Sequence, residues 1–291
     1  MIRVGLIGLG KTGKEIAKVL LEQDFIKLVT VICSPYSGKI GKDIGELIGT
    51  TNAGIIIDSS ENIEQCIFKA KPDVVVDFSN PEATLKNARI FSKMKVNMVI
   101  GTTGFSKLAL KKLYVLTRKY HNGIVYAPNI TLGVNVLMLL TNLASSILSN
   151  YDFQITEIHH KNKKDAPSGT ALKIAKEVEN GLKSSGLEGS HQDIPITAIR
   201  AGGVVGRHEV MIVGEDDKIE IAHESFSRRA FALGALRAIK FIYGKTGYYE
   251  MGDVLDLNKV LVDYMESHSK SISKRRKYTV KENDESSELW A

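Results

Sequence analysis

Six residues near the N-terminus, Gly8-Leu9-Gly10-Lys11-Thr12-Gly13, restrict the architecture of this chain more than any other segment. They match the pattern G-x-G-x-x-G. The apolar run Arg3–Ile7 precedes them, and a helical pattern over Lys14–Glu22 follows, with Ile16, Ala17, Val19, Leu20 and Leu21 as its apolar face. In that order, glycines let the backbone approach a pyrophosphate, and the helix N-terminus offers free N–H groups and a positive dipole end. The fold that presents such a loop is a doubly wound parallel sheet.

The same stretch spells a second motif. Gly5-Leu6-Ile7-Gly8-Leu9-Gly10-Lys11-Thr12 satisfies G-x-x-x-x-G-K-[ST], the nucleoside triphosphatase loop, and Asp77 after Val74-Val75-Val76 imitates its magnesium-holding aspartate. That loop needs its strand to end before Gly5. The apolar run instead continues through Leu6 and Ile7, which puts Gly5 inside the strand and favours the dinucleotide reading.

Further short apolar runs support it. Leu28–Cys33, Asp73–Phe78, Asn97–Ile100 and Ile124–Ala127 read as strands between helical segments, the pattern of a parallel sheet covered on both faces. After about Asn150 the pattern changes. Phe153–His159 reads as a strand, and Thr170–Leu182 as a helix with Leu172, Ala175, Val178 and Leu182 on one face. Pro195–Ala201, Val204–Val213 and Lys218–His223 form an antiparallel or mixed sheet, turned at Gly202-Gly203 and at Gly214–Asp217, and a helix over Arg228–Tyr243 closes this unit. The fold class is therefore α/β: a Rossmann-type doubly wound parallel sheet followed by a second, α+β unit.

Composition excludes several classes. With 291 residues, 43% hydrophobic and 25% charged, the chain has material for two domains and is neither disordered nor fibrous as a whole. The net charge of +6 suits acidic small molecules, but the folded part lacks the dense basic stripe of a nucleic-acid surface. Cys33 and Cys66 fit no metal or disulfide spacing, as expected of reduced thiols in the cytoplasm. No secretory segment or membrane span is visible. The last residues are charged, basic at Lys274–Lys277 and acidic later, and read as a flexible tail over 266–291.

The stretch most suggestive of chemistry is His159-His160-Lys161-Asn162-Lys163, at a strand end. Histidine exchanges a proton near neutral pH, and lysine supplies a cation for a carboxylate or a second proton. Ser168 is a good N-cap, and the N–H groups of Gly169 and Thr170 at the helix start suit a carboxylate. Zinc is disfavoured: adjacent strand residues point to opposite faces, so only one of the two histidines reaches a given atom, and no metal ligand set is evident.

From Met1 to about Leu257 the chain resembles the 4-hydroxy-tetrahydrodipicolinate (dihydrodipicolinate) reductase family of the lysine and diaminopimelate pathway. The resemblance is carried by Gly8–Gly13, Val76–Pro81, Gly101–Phe105, Ala127-Pro128-Asn129, Gly133–Asn135, His159–Leu172, Arg200–Gly206, His223, Ser227–Leu236 and Met251–Leu255. The string from His159-His160 and Lys163 through Asp165-Ala166-Pro167-Ser168-Gly169-Thr170-Ala171-Leu172 is very specific.

The resemblance implies an NAD(P)H-dependent oxidoreductase acting on a cyclic imine dicarboxylate, assembled as a homotetramer. It implies a dinucleotide-binding domain over 1–128, with 241–265 packing back onto it, and a substrate and oligomerisation domain over 129–240. His159 matches the general acid/base and Lys163 a second proton donor. His160, Lys163, Ser168, Gly169 and Thr170 match the groups that hold two carboxylates. Gly8, Leu9, Gly10, Lys11, Thr12 and Gly13, with Gly101, Thr102, Thr103, Ala127, Pro128, Asn129 and Ile130, match the cofactor contacts.

The chain departs from the family in three places. Lys11-Thr12 replaces an Arg-Met or Lys-Met pair, Cys33-Ser34 replaces a Glu-Arg pair, and the stretch from Gly181 to Pro195 is short. With no carboxylate after the second strand, and with Ser34 and Lys39 nearby, the cofactor reading leans to NADPH over NADH. A related reductase for another imino acid, a nucleoside triphosphatase and a non-catalytic dinucleotide sensor are the competing readings.

Overall fold

The structure is a computed structural model in which residues 1–186, 194–257 and 259–267 are described. The first half alternates strand and helix: β1 (Ile2–Ile7), α1 (Lys11–Leu21), β2 (Ile26–Cys33), α2 (Ile44–Ile48), β3 (Ile57–Ser59), α3 (Ile63–Ala70), β4 (Val74–Asp77), α4 (Pro81–Lys93), β5 (Asn97–Ile100), α5 (Lys107–Tyr120) and β6 (Gly123–Tyr126). Then follow α6 (Leu132–Ile147), β7 (Asp152–His159), α7 (Gly169–Ser184), β8 (Ile196–Arg200), β9 (Arg207–Val213), β10 (Lys218–Glu224), α8 (Arg229–Ile242), β11 (Gly247–Glu250) and α9 (Met251–Leu255).

Seven strands form one parallel sheet in the order β11-β6-β5-β4-β1-β2-β3. Its inner strands are apolar because helices cover both faces; every residue of β4 is buried. Strand order reverses between β1 and β4, and in open sheets of this kind ligands bind outside the carboxyl ends at that point. The chain returns to this sheet late, because β11 pairs with β6. Asn97 secures the return: its Nδ2 donates to the carbonyls of Ile242 (2.7 Å) and Lys245 (3.0 Å), and its Oδ1 accepts from the Gly123 N–H (2.6 Å).

The second sheet has the order β10-β9-β7-β8 and is mixed, with β7 and β8 parallel and the other pairs antiparallel. Helices α6 and α7 pack together and close one face over Phe153, Ile155, Val210 and Ile212. The register places Ile158, Ile199 and Met211 on the other face, with Ile199 exposed.

Residues 1–254 form one compact unit containing both sheets, and a separate unit begins at Leu255. Three expectations change. Helix α8 packs on α1 and on the parallel sheet rather than closing the second unit, because its buried face of Ala232, Ala235, Ala238 and Ile239 is small and flat. Leu172 is exposed, and the core face of α7 runs through Ala171, Ile174, Ala175 and Val178. Leu21 is likewise exposed at the end of α1. The tail expected from residue 266 lies outside the described residues beyond Ser267, as do residues 187–193 of the short connection after Gly181. Among the described residues, no helix is long and apolar enough to cross a membrane.

Candidate active site

Strand β1 runs through Gly5 to Ile7, and the turn begins at Gly8, as a dinucleotide loop requires and a triphosphatase loop does not. Gly8 has φ +90°, and a Cβ there would lie 2.6 Å from the Phe78 carbonyl oxygen. At Gly13 a Cβ would fall 2.1 Å from the Gly8 carbonyl oxygen, so loop and helix approach only as glycine. Helix α1 starts at Lys11 with Gly10 as its N-cap and no side-chain cap, which leaves its first N–H groups for an anion.

Two more segments leave the same end of the sheet. Gly101-Thr102-Thr103 follows β5, and the absent Cβ of Gly101 makes room for the Phe78 ring. Thr102 is buried beneath it, accepting from Thr84 Oγ1 (3.3 Å) and donating to the Asp77 carbonyl (3.4 Å). Ala127–Ile130 follows β6, and Asn135 Nδ2 fixes it by donating to the carbonyls of Asn129 and Thr131, both at 2.7 Å. These backbone-lined turns and the uncapped helix fit a dinucleotide. Ser34 is exposed after β2, and Lys39 Nζ donates to the Leu9 carbonyl at 2.6 Å, beside the glycine loop.

The second half of the site grows from β7. Strand alternation buries Phe153, Ile155, Glu157 and His159 on one face. Glu157 is fully buried and His159 nearly so, and His159 Nδ1 lies 2.5 Å from Glu157 Oε2. Arg200, whose Cα pairs with that of His159 on neighbouring β8, donates to both Glu157 oxygens at 2.9 and 2.7 Å. Ser168 caps α7 by accepting from the Ala171 N–H (3.1 Å), contacts His208 Nε2 (3.2 Å), and donates its own N–H to Glu157 Oε1 (3.0 Å). The preceding Ala166–Pro167 peptide is cis.

A cavity of about 330 Å³ joins the two halves. One wall is Thr12, Thr103 and Pro128-Asn129-Ile130, and the opposite wall includes His159, His160, Lys163 and Thr170. His208, His223 and Arg228 also reach it. Both histidines of the pair therefore face one cavity, against the expectation from strand alternation: β7 ends at His159 and His160 begins a loop. His160 Nδ1 is buried without a protein partner. Lys163 Nζ pairs with Asp165 Oδ1 at 2.8 Å.

Not every expected residue lines this cavity. Gly8–Gly10, Gly101, Thr102 and Ala127 lie in the turns after β1, β5 and β6 and Gly13 in α1, none of them lining it, and Ser168 is buried. Gly169 is exposed at the helix start, and Ser34 lies apart. Lys11 lines a separate hollow of about 480 Å³ with Lys14, Lys18 and Arg228. Sequence reasoning gave no role to Glu157, Arg200 or His208. The i, i+2 spacing of Glu157 and His159 on one strand was the available signal for the first; the other two are brought in by sheet pairing.

Burial pushes the His159 imidazole below its ordinary value; Glu157 opposes this, and the charges of Lys163 and Arg200 reinforce it. His208 is held down at about 3, by burial first and by the nearby His159 charge second, so it is neutral at pH 7. Burial also raises Glu157, but its bonds from Arg200, His159 and the Ser168 N–H outweigh this and hold the carboxylate below the usual range. Among the described residues, no group of three or more His, Cys, Asp or Glu is arranged to hold a metal.

A doubly wound sheet with a glycine turn that fits a dinucleotide, facing across one cavity a histidine at the end of a second sheet and a lysine in the loop after it, is the arrangement of a nicotinamide-dependent oxidoreductase. A family model described as dihydrodipicolinate reductase, N-terminus, matches residues 2–130, and one for the C-terminus of the same enzyme matches residues 133–255. The chain belongs to this dihydrodipicolinate reductase family.

Two relatives named 4-hydroxy-tetrahydrodipicolinate reductase illustrate the similarity. That of Methanococcus aeolicus is 38% identical over 273 residues, covering 89% of this chain and 100% of the relative. That of Methanopyrus kandleri is 40% identical over 268 residues, covering 88% of this chain and 97% of the relative. A solved structure of dihydrodipicolinate reductase from Paenisporosarcina sp. TG-14 with dipicolinate bound is 28% identical, with a TM-score of 0.70 over 86% of this chain and 97% of that one.

Proposed function

We propose that this chain reduces 4-hydroxy-tetrahydrodipicolinate to tetrahydrodipicolinate in lysine and diaminopimelate synthesis, using NADPH in preference to NADH. The observation that carries the proposal is the single cavity in which Thr103 and Pro128-Asn129-Ile130 face His159, His160, Lys163 and Thr170.

The chemistry follows from charge. When bound, a reduced nicotinamide supplies a hydride to a ring carbon conjugated to the substrate imine. Net, the substrate gains that hydride and a proton and loses water. Negative charge develops on the ring during the transfer. Lys163 and the histidine side chains stabilise it from one side of the cavity, and His159 Nε2 delivers the proton. Two carboxylates need two cationic or N–H sites. His160 and Lys163 supply one; the uncapped N–H groups of Gly169 and Thr170 at the α7 start supply the other.

The preference for NADPH rests on the end of β2. Between Cys33 and Lys39 there is no carboxylate to hold a ribose 2′-hydroxyl, while Ser34 and the Lys39 ammonium suit a 2′-phosphate. Assembly as a homotetramer uses the face of the second sheet bearing Ile158, Ile199 and Met211.

A coupled assay tests the activity. Aspartate semialdehyde, pyruvate and the preceding synthase generate the substrate, and absorbance at the nicotinamide band follows turnover with each cofactor. NADPH oxidation dependent on the synthase is the expected result. No turnover with either cofactor overturns the proposal, and turnover only with another imino acid assigns the site to a different imine. Light scattering checks the tetramer.

A further inference from the structure

We infer that Glu157 is a positioning residue for the reduction: its carboxylate fixes which nitrogen of His159 faces the substrate. The inference rests on the reading of His159 as the proton donor. It assigns the buried Glu157–Arg200 pair a role in the reaction beyond holding two strands together.

The argument begins with saturation. An ionised carboxylate offers about four acceptor positions. At Glu157 four are used: Oε2 accepts from His159 Nδ1 and Arg200 Nη1, and Oε1 accepts from Arg200 Nη2 and the Ser168 N–H. The group is fully buried, so water does not compete for these positions. Such a carboxylate is a poor proton store, because protonating it breaks one of these bonds. Its chemical use is to hold its donors in place.

The consequence at His159 is a defined tautomer. With Nδ1 bonded to a carboxylate, the neutral ring carries its proton on Nδ1, and Nε2 is the nitrogen that gains and loses a proton. Nε2 lies next to Gly206 on the cavity wall; a Cβ at Gly206 would fall 3.0 Å from it. After Nε2 gives its proton to substrate, the ring is left in the tautomer that Glu157 prefers, so donation leaves no mismatched hydrogen bond.

The same carboxylate sets the register of the carboxylate-binding helix. Through the Ser168 N–H it ties the start of α7 to β7. Arg200 adds the loop between them by donating to the Asp165 carbonyl. Proton donor and substrate cradle thus share one anchor, and an amide oxygen at position 157 can still accept the Ser168 N–H and hold the cradle.

The charged and titratable groups around His159 are Glu157 on β7, His160, Lys163 and Asp165 in the following loop, Arg200 on β8, His208 on β9, His223 on β10 and, across the cavity, Arg228 before α8. Only Glu157 and Asp165 are anionic, and Asp165 is engaged by Lys163. Glu157 is therefore the one negative charge in direct contact with the imidazole. Replacing it with a neutral amide lowers the imidazole pKa further. A reaction that needs protonated His159 then loses rate at lower pH than before.

The test uses the full-length protein and two readouts. In Glu157→Gln, kcat falls at least 10-fold at pH 7, KM stays within about threefold, and the descending limb of the kcat–pH profile moves at least about one pH unit lower. Glu157→Asp, which keeps the charge, restores the position of the limb. An unchanged kcat and pH profile in Glu157→Gln overturns the inference.

If that variant does not fold, nitrogen-15 NMR of the wild-type imidazoles decides. A neutral His159 protonated on Nδ1 is expected, and protonation on Nε2 overturns the inference. The NMR readout needs no substrate. A protein that lacks turnover but shows the Nδ1 tautomer counts against the reductase reading and not against the Glu157–His159 relationship.

Discussion

The hydroxyl of Thr170 donates a 2.6 Å hydrogen bond to Oδ1 of Asn129. The two residues come from different halves of the site, one from the start of α7 and the other from the turn after β6. Asn129 is itself clamped by Asn135, so the bond ties the start of α7 to the turn after β6 across the cavity. Thr170→Val removes this tie and leaves a nearly buried Asn129 oxygen unpaired. A loss of about 1.5 kcal/mol, or about tenfold in kcat/KM, is expected, with Thr170→Ser recovering most of it. Steady-state kinetics with both variants check this, and equal kcat/KM in Thr170→Val would remove the tie from the mechanism.

His159→Gln and Lys163→Ala are each expected to lower kcat by about 10²-fold or more, as lost acid catalysis and charge stabilisation do. Asp165→Asn separates two functions of the lysine, because it frees Lys163 Nζ from its 2.8 Å partner without removing the ammonium. Activity in Asp165→Asn stays within about fivefold of wild type if the lysine acts by its charge. A collapse as deep as that of Lys163→Ala would show that the ion pair, and not the ammonium, is what catalysis requires.

Gly206→Ala probes the space around His159. The added methyl would sit 3.0 Å from His159 Nε2 and 3.3 Å from Cδ2, so the imidazole must shift by a few tenths of an ångström. Misplacement on that scale is costly for proton transfer. A drop of about 10-fold or more in kcat is expected with NADPH affinity unchanged, measured by fluorescence titration. Weakened NADPH binding at constant kcat would place the effect of Gly206 on the cofactor instead.

The parallel sheet was legible because its signals are local. Gly8–Gly13 between an apolar run and a helical pattern, and the Val74-Val75-Val76 strand, each carry their meaning within a few residues. The His159–Thr170 segment was legible for the same reason. The return of the chain to this sheet over 241–265 came only from the family resemblance; residue spacing showed neither it nor the packing of α8 on the sheet, since both depend on contacts such as Asn97 gripping carbonyls of residues 242 and 245 far along the chain. The expectation of opposed faces for His159 and His160 failed because alternation applies only while the strand continues, and β7 stops at His159. The Arg200 contact to Glu157 was hidden because strand pairing, not spacing along the chain, creates it.

Asp77 gives a stability prediction with a definite sign. Its carboxyl is fully buried, Oδ2 has no partner, and burial pushes its pKa from 3.8 up to about 6 despite the bonds from Ser79. The folded state therefore binds the proton more tightly than the unfolded state. Stability from this group is full below about pH 3.8 and is lost as pH rises through about 6. The loss is on the order of 3 kcal/mol. Asp77→Asn removes this dependence. Urea unfolding at pH 4 and pH 8 should show the variant gaining on wild type by that order as pH rises; a pH-independent difference would mean that Asp77 is not proton-loaded in the folded state.

Cofactor choice can be tested at the end of β2. Lys39 is the only cation between Cys33 and Lys39, and its 2.6 Å bond to the Leu9 carbonyl holds it beside the glycine loop. A point charge at that position attracts a ribose 2′-phosphate and does little for a 2′-hydroxyl. Lys39→Ala should raise the KM for NADPH by about 10-fold, the scale of one exposed phosphate–ammonium contact, and leave the KM for NADH within about twofold. Ser34→Glu goes further, because it places a carboxylate at the exposed end of β2, where it can hold a ribose hydroxyl and repels a phosphate. In that variant NADH should become the better substrate by kcat/KM. If Lys39→Ala weakens both cofactors equally, the lysine supports the loop through Leu9 and does not read the phosphate.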